Sequence, residues 1–328
     1  VYYILCLIRR VLSRRRKMLY KQLLDLYDIL DDEKADGSRV VEYLKKINPN
    51  CQAETHVLEG EQGKTHMVRV VIPGEQGKRN GGDAPTIGIL GRLGGLGARP
   101  ERVGFVSDGD GALAALSAAA KLLDMQMKGD CLKGDVIVST HVCPDAPTKP
   151  HEPVAFMGSP VEMYQVNQDE VTDEMDAILS IDTTKGNRIA NERGFFISPT
   201  VKEGYILRVS ERLLDLMEIT TGRRPKVFAL TQQDITPYGN DLFHINSILQ
   251  PSVATSAPVV GVAITTETVV PGCATGATHM TDVEEAARFV LEVAKEFGQG
   301  VCAFYDKEEY ARIQKLYGSM TRFQGFGE

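Results

Sequence analysis

The chain has 328 residues, 43% of them hydrophobic and 25% charged, with a formal net charge of -7. That length gives one large α/β domain or two ordinary ones with a sizeable core, and the acidic balance argues against a nucleic-acid partner. Six scattered cysteines (Cys6, Cys51, Cys131, Cys143, Cys273, Cys302) make neither a disulfide framework nor a Cys-x-x-Cys zinc pair, so the expected setting is a reducing cytoplasm.

Residues 1–17 (VYYILCLIRRVLSRRRK) place a short apolar run ahead of arginines. The run falls well short of the roughly 20 residues a membrane helix needs. A signal peptide would put its charges first and a small-residue cleavage site afterwards. The expectation is a protein without a membrane partner that starts at Met18, with 1–17 a basic extension outside the fold. A basic amphipathic anchor is the alternative.

From Met18 the elements follow in order. MLYKQLLDLYDILDD (18–32) repeats apolar residues at three and four and predicts an amphipathic helix. SRVVEYLKKI (38–47) predicts a second, with Ser38 placed to cap it. HVLEG and THMVRVVIPG, separated by EQGK, predict a hairpin, and GEQGKRNGGDAP a Gly-rich loop. TIGIL (86–90) and VGFVS (103–107) predict buried strands on either side of the glycine-rich GRLGGLG; DGDG then opens the helix ALAALSAAAKLLDMQ. DVIVST (135–140), ILSID (178–182), KVFAL (226–230) and PVVGVAI (258–264) predict further strands. SERLLDLMEITTG and DVEEAARFVLEVAKEFG (282–298) predict the later helices. Apolar strands alternating with helices predict a single α/β domain over 18–328, three-layer α/β/α around a mostly parallel mixed sheet.

Such folds build their sites at the C-terminal ends of the strands. VGFVS ends on Asp108 and Asp110, DVIVST on His141 with Cys143 and Asp145 beyond it, ILSID on Asp182, and the segment after PVVGVAI carries Glu267 and His279. Carboxylates and imidazoles gathered there are ligands for zinc or manganese.

The ordered set VSDGDGALAALSAAAKLL, VIVSTHVC, SIDTTKGN, ISPTVKEGYI, YGNDLFHIN (around Asp241) and GATHMTDVEEAARFVLEVAKEF resembles the dinuclear-zinc aminopeptidases over residues 65–298. The resemblance implies a zinc-peptidase-like fold, a homo-oligomer, and a metal near Asp108, Asp182 and His279. The chain departs from that family in two places. GRLGGLG stands where the family has its first metal histidine, with Arg92 at the histidine position. Thr140 and His141 replace the family's glutamate base and ligand. The combination suggests a family of unknown function related to those peptidases.

A smaller metal set of Asp108, His141, Asp182 and His279 suits one zinc, iron or manganese ion with open positions, able to activate a water. Asp110, Asp145 and Glu152 are the carboxylates available as base. Arg92 and Arg99 suit a substrate carboxylate by bidentate hydrogen bonds, with His151 in the Pro-rich loop CPDAPTKPHEP beside them. Each residue also has a plainer role. Asp108 and Asp110 fit a turn that caps the helix, His141 a buried satisfied histidine, Asp182 a turn ligand, His279 a surface residue, His151 and Glu152 loop polarity. Cys143 fits a small apolar filler.

Two function classes follow. One is a metal-dependent hydrolase of an amide, peptide or amino-acid derivative. The other is a catalytically inactive relative, without a cofactor, that binds a small acidic ligand or serves as an assembly subunit. At a lost metal position the fixed Arg92 charge would replace that ion electrostatically. Bound metal in stoichiometric amount favours the first class, and a metal-free protein stabilised by ligand the second.

Overall fold

A computed structural model of the chain describes residues 18–92, 104–144, 146–152, 154–272 and 275–326. The expected extension at 1–17 lies outside them. Helix α1 (Leu19–Leu30) buries Leu19, Leu23, Leu26 and Leu30, the three-and-four spacing of its sequence. Helix α2 (Gly37–Ile47) buries Val40, Val41 and Leu44. Its cap is Asp36, whose carboxylate accepts from Arg39 N at 2.9 Å, and not Ser38, which lies inside the first turn. Strands β1 (Gln52–Gly60) and β2 (Gly63–Ile72) form the expected hairpin, closing on the Gly60–Gly63 pair.

The central strands are β3 (Ile87–Gly91), β4 (Val136–Val142), β7 (Ala177–Thr183) and β11 (Val259–Thr265). They run parallel to one another in the order β4-β3-β7-β11. The β1–β2 hairpin extends this group antiparallel from β4. Strands β8 (Gly194–Ile197), β9 (Thr200–Lys202) and β10 (Tyr205–Leu207) extend it antiparallel from β11. The nine-stranded sheet is therefore mixed, with a parallel centre and antiparallel flanks, rather than mostly parallel. A separate two-stranded piece pairs β5 (Thr148–Lys149) with β6 (Phe156–Met157).

Two expected strands are corrected. Residues 104–106 of VGFVS are irregular, and 107–109 form a 3-10 turn. Phe105 N donates to Asp31 at 2.6 Å, and its ring meets Tyr27 edge-on, so this segment is fastened to α1 and not to the sheet. KVFAL makes only an isolated bridge between Val227 and Ile197. The sequence reading also passed over helix α4 (Met163–Glu170) and helix α7 (Lys307–Tyr317), which follows the cap Asp306.

The faces of the sheet are dressed differently. Helices α1, α2, α3 (Asp110–Gln126), α5 (Glu211–Thr221) and α6 (Met280–Gly298) contribute to one large apolar cluster with Ile87, Ile89, Val138, Leu179 and Val262 of the strands. Helix α3 is buried on nearly all sides. Its small residues allow close approach: a Cβ on Gly111 would lie 2.3 Å from the Ile181 carbonyl oxygen and 2.5 Å from that of Arg92. The opposite face carries a smaller cluster of Leu90, Ile137, Ile178, Val259 and Ala263 with Phe228, Ile235, Ile248 and Leu249 from irregular segments. No helix among the described residues is long and apolar enough to cross a membrane.

Candidate anion site at the end of the parallel strands

Side chains alternate along β3, so Gly88 and Leu90 face the second, loop-covered side, and Arg92 continues that row just past the strand. Leu90 is in register with Ser139 of β4 and Ser180 of β7. His141 and Asp182 lie two residues further along those strands, beside Arg92. The backbone fixes the place: Arg92 N donates to Ile181 O at 2.7 Å. The sheet thus carries a cation, an imidazole and a carboxylate on three neighbouring strand ends.

Arg92 is completely buried. Its Nη1 donates to Asn167 Oδ1 at 2.8 Å and forms an ion pair with Glu170; both partners project from α4. Burial lowers its pKa to about 10, with Asp182 and then Tyr238 opposing the shift, so it remains cationic at neutral pH. Asp182 accepts from Ser247 Oγ and from Thr183 N, each at 2.7 Å. Burial pushes its carboxyl up to about 6, against the pull of the Ser247 bond and the Arg92 charge. Tyr238, hydrogen-bonded to Ser247, has its phenol pushed up to about 12, mainly by burial. His141 Nδ1 lies 2.8 Å from the Thr65 hydroxyl of β2. Burial and then the Arg92 charge push its pKa down to about 3. It is therefore uncharged at neutral pH.

Hydrogen-bonding capacity is left over in this region. Arg92 Nε and Nη2, both Glu170 oxygens, Ser139 Oγ, Ser180 Oγ and Thr172 Oγ1 are buried without a hydrogen-bond partner among the described residues. Buried polar groups are ordinarily satisfied, and here seven exceptions cluster where β3, β4 and β7 meet α4 and the turn behind it.

A second buried pair stands at the first turn of α3. Lys185 Nζ donates to Asp110 Oδ2 at 2.6 Å and to Ala277 O at 2.8 Å; both side chains are fully buried. Thr278 Oγ1 donates to the other Asp110 oxygen at 2.8 Å. Burial pushes Asp110 up to about 6, although Lys185 and Thr278 both pull it down. Asp110 is therefore neither a side-chain cap nor a free base, but the anion of a closed ion pair.

The remaining expected residues are distributed elsewhere. Asp108 is buried in the 3-10 turn. His279 stands at the N-terminal boundary of α6, with Nδ1 3.5 Å from the buried Asp282. His151 and Glu152 are exposed; His151 Nδ1 lies 3.2 Å from Val154 O. Cys143 is buried with Val106, Ala146 and Met157, the filler role expected of it. Arg99 and Asp145 lie outside the described residues. Arg92, His141 and Asp182 are thus brought together, whereas Asp110 and His279 belong to the α3–α6 side. Among the described residues, no three histidine, cysteine, aspartate or glutamate side chains stand close enough to hold one metal ion.

The sequence reading missed Asn167, Glu170, Lys185, Tyr238 and Ser247. Lys185 had a signal, a lysine in the turn directly after a strand that ends on a carboxylate. Helix α4 had none, because MYQVNQDE shows no apolar stripe and only Val166 of its apolar residues is buried.

Residues 56–327 match the family model described as a protein of unknown function, DUF1177. No curated protein matches the chain.

Proposed function

The chain belongs to the DUF1177 family, and from the geometry of its strand ends we propose that it binds a small acidic ligand at Arg92. The observation that carries this reading is the unused donor capacity of Arg92. A wholly buried guanidinium offers Nε and Nη2 to no described partner, on the strand edge where open α/β sheets receive their ligands. A planar guanidinium presents two parallel N–H bonds to a carboxylate or phosphate. Ser139 and Ser180 supply hydroxyls on the same face, and Asp182 and Tyr238 would bond to hydroxyl or amino groups of the ligand.

The metal-dependent hydrolase reading needs a donor set, and the described residues do not fit one. Asp110 is closed by Lys185, Asp182 by Ser247, and His279 lies with Asp282. Buried ammonium and guanidinium groups already supply positive charge to Asp110 and Asp182. A zinc-peptidase-like fold that has exchanged its ions for Lys185 and Arg92 is the evolutionary form of this proposal, consistent with the second function class.

The test is calorimetric titration of the purified protein with acetate, succinate and inorganic phosphate, beside Arg92→Met. Binding by the wild type and its loss in a folded variant is the expected result. Absence of binding by all three anions would reject the reading. Elemental analysis of protein purified without chelator supplies the other arm. About one zinc, iron or manganese per chain, lost in an Asp108→Ala, His279→Ala double variant, would restore the hydrolase reading.

A further inference from the structure

Helix α4 is weakly built for the position it holds. It has eight residues, too few to persist without tertiary support. It buries a single apolar side chain, Val166, in a small cluster with Met67 and Val161. Its last two residues are Asp169 and Glu170, and its last turn has no basic residue. Carboxylates there meet the negative end of the helix dipole, which disfavours them.

Side chains outside the helix hold these carboxylates. His56 of β1 reaches Asp169 at 2.6 Å, and Arg69 of β2 lies 3.7 Å from the same carboxylate and also donates to the Asp169 carbonyl. Arg92 takes Glu170. The Glu170 side chain is completely buried, yet its oxygens have no regular hydrogen bond. A helix held by ion pairs over a polar floor is an element that can leave without opening the apolar core.

We propose that Glu170 is an internal stand-in for the ligand, so that an incoming carboxylate replaces it on Arg92 and α4 is released in the exchange. The inference rests on the anion-binding reading and narrows it to a carboxylate, because a carboxylate is the group already seated on the guanidinium. Like replaces like: Arg92 keeps one anion throughout, and the buried charge is never left uncompensated. The Glu170 carboxylate, once displaced, moves into water, where its ionised form is stable. Competition from an attached carboxylate lowers the apparent affinity by the fraction of molecules in which Arg92 is free. Removing that competitor therefore tightens binding without adding any contact.

Two measurements decide it, both with succinate as probe. In titrations, Glu170→Gln is expected to bind succinate at least tenfold more tightly than the wild type, since its amide is a poor competitor for Arg92. In the wild type, saturating succinate is expected to raise hydrogen exchange across residues 163–170 about tenfold while α3 and α6 stay protected. Unchanged exchange in 163–170 on saturation overturns the proposal, whether or not the variant folds. Equal or weaker binding by a folded Glu170→Gln overturns it as well. If phosphate binds through Arg92 and succinate does not, the anion-binding reading stands and the carboxylate exchange falls. If no anion binds at all, both fall.

Discussion

Arg92 Nη1 and Asn167 Oδ1 are joined by a buried hydrogen bond of 2.8 Å, and this bond ties the end of β3 to α4. It belongs to the same grip as the Arg92–Glu170 ion pair. Both partners of that pair are wholly buried, so deleting either one leaves the other's charge uncompensated in the interior, at a large penalty.

That relationship predicts strong non-additivity. Arg92→Met alone should cost about 3–5 kcal/mol, because it strands the Glu170 carboxylate in the interior. The double variant Arg92→Met, Glu170→Leu should recover most of that loss, since an apolar pair of similar volume removes both charges. Urea unfolding of the wild type, two single variants and the double variant gives the coupling energy directly. Additive losses would show that the two side chains do not sense each other.

Asp182 predicts a pH dependence of defined sign. Its carboxyl is raised from 3.8 to about 6, chiefly by burial. A raised folded-state value means the native state holds the proton more tightly than the unfolded chain. The associated stabilisation is complete below the unfolded value and is lost as pH rises through about 6. Comparing Asp182→Asn with the wild type isolates this contribution, which should change by on the order of 2 kcal/mol between pH 7 and pH 4. Denaturation series that run parallel over this interval would remove the raised pKa from the account.

Gly111 predicts a steric cost at a distance from any ligand. A methyl group there would sit 2.3 Å from the Ile181 carbonyl oxygen and 2.5 Å from that of Arg92. Both obstacles are backbone, so α3 must move. Gly111→Ala should lower stability by about 1–3 kcal/mol and weaken anion binding together with it, because the displaced backbone carries Arg92. Melting and titration of the same sample check both. Full stability with normal binding would mean that the strand ends are more yielding than their packing implies.

The cap of α2 predicts a contrast between neighbours. Asp36→Ala removes the bond to Arg39 N and should cost about 1 kcal/mol. Ser38→Ala, inside the helix, should cost far less or slightly stabilise, given the helix preference of alanine. Thermal unfolding of the two variants distinguishes the positions.

The sequence made the apolar skeleton legible. α1, α5 and α6 were readable because their apolar residues repeat at three and four, and the β1–β2 hairpin, the four central strands and α3 because short apolar runs and an alanine- and leucine-rich stretch are set off by polar, glycine-rich turns. VGFVS misled because a run of β-branched and aromatic residues can pack on a helix as well as pair in a ladder. KVFAL misled for the same reason. Of the site, His141 and Asp182 were legible as polar residues at strand ends, and Arg92 as the arginine of the glycine-rich turn. The pairing of Arg92 with Glu170 was not, since nothing local connects a glycine-rich turn to a short polar helix well downstream in the chain. The ion pair of Asp110 with Lys185 was hidden likewise: a lysine in a turn is ordinarily solvated, and only the packed ends of α3 and α6 remove this one from water.

The unequal dressing of the sheet has a consequence for how this chain can vary. The helical face holds the large apolar cluster, whereas the opposite face relies on loops, a short polar helix and a buried charged pair. Substitutions at the exposed loop positions of the second face leave the large helical cluster untouched. Changes confined to those positions therefore leave the hydrophobic half intact, so the two faces of one sheet can vary separately from each other.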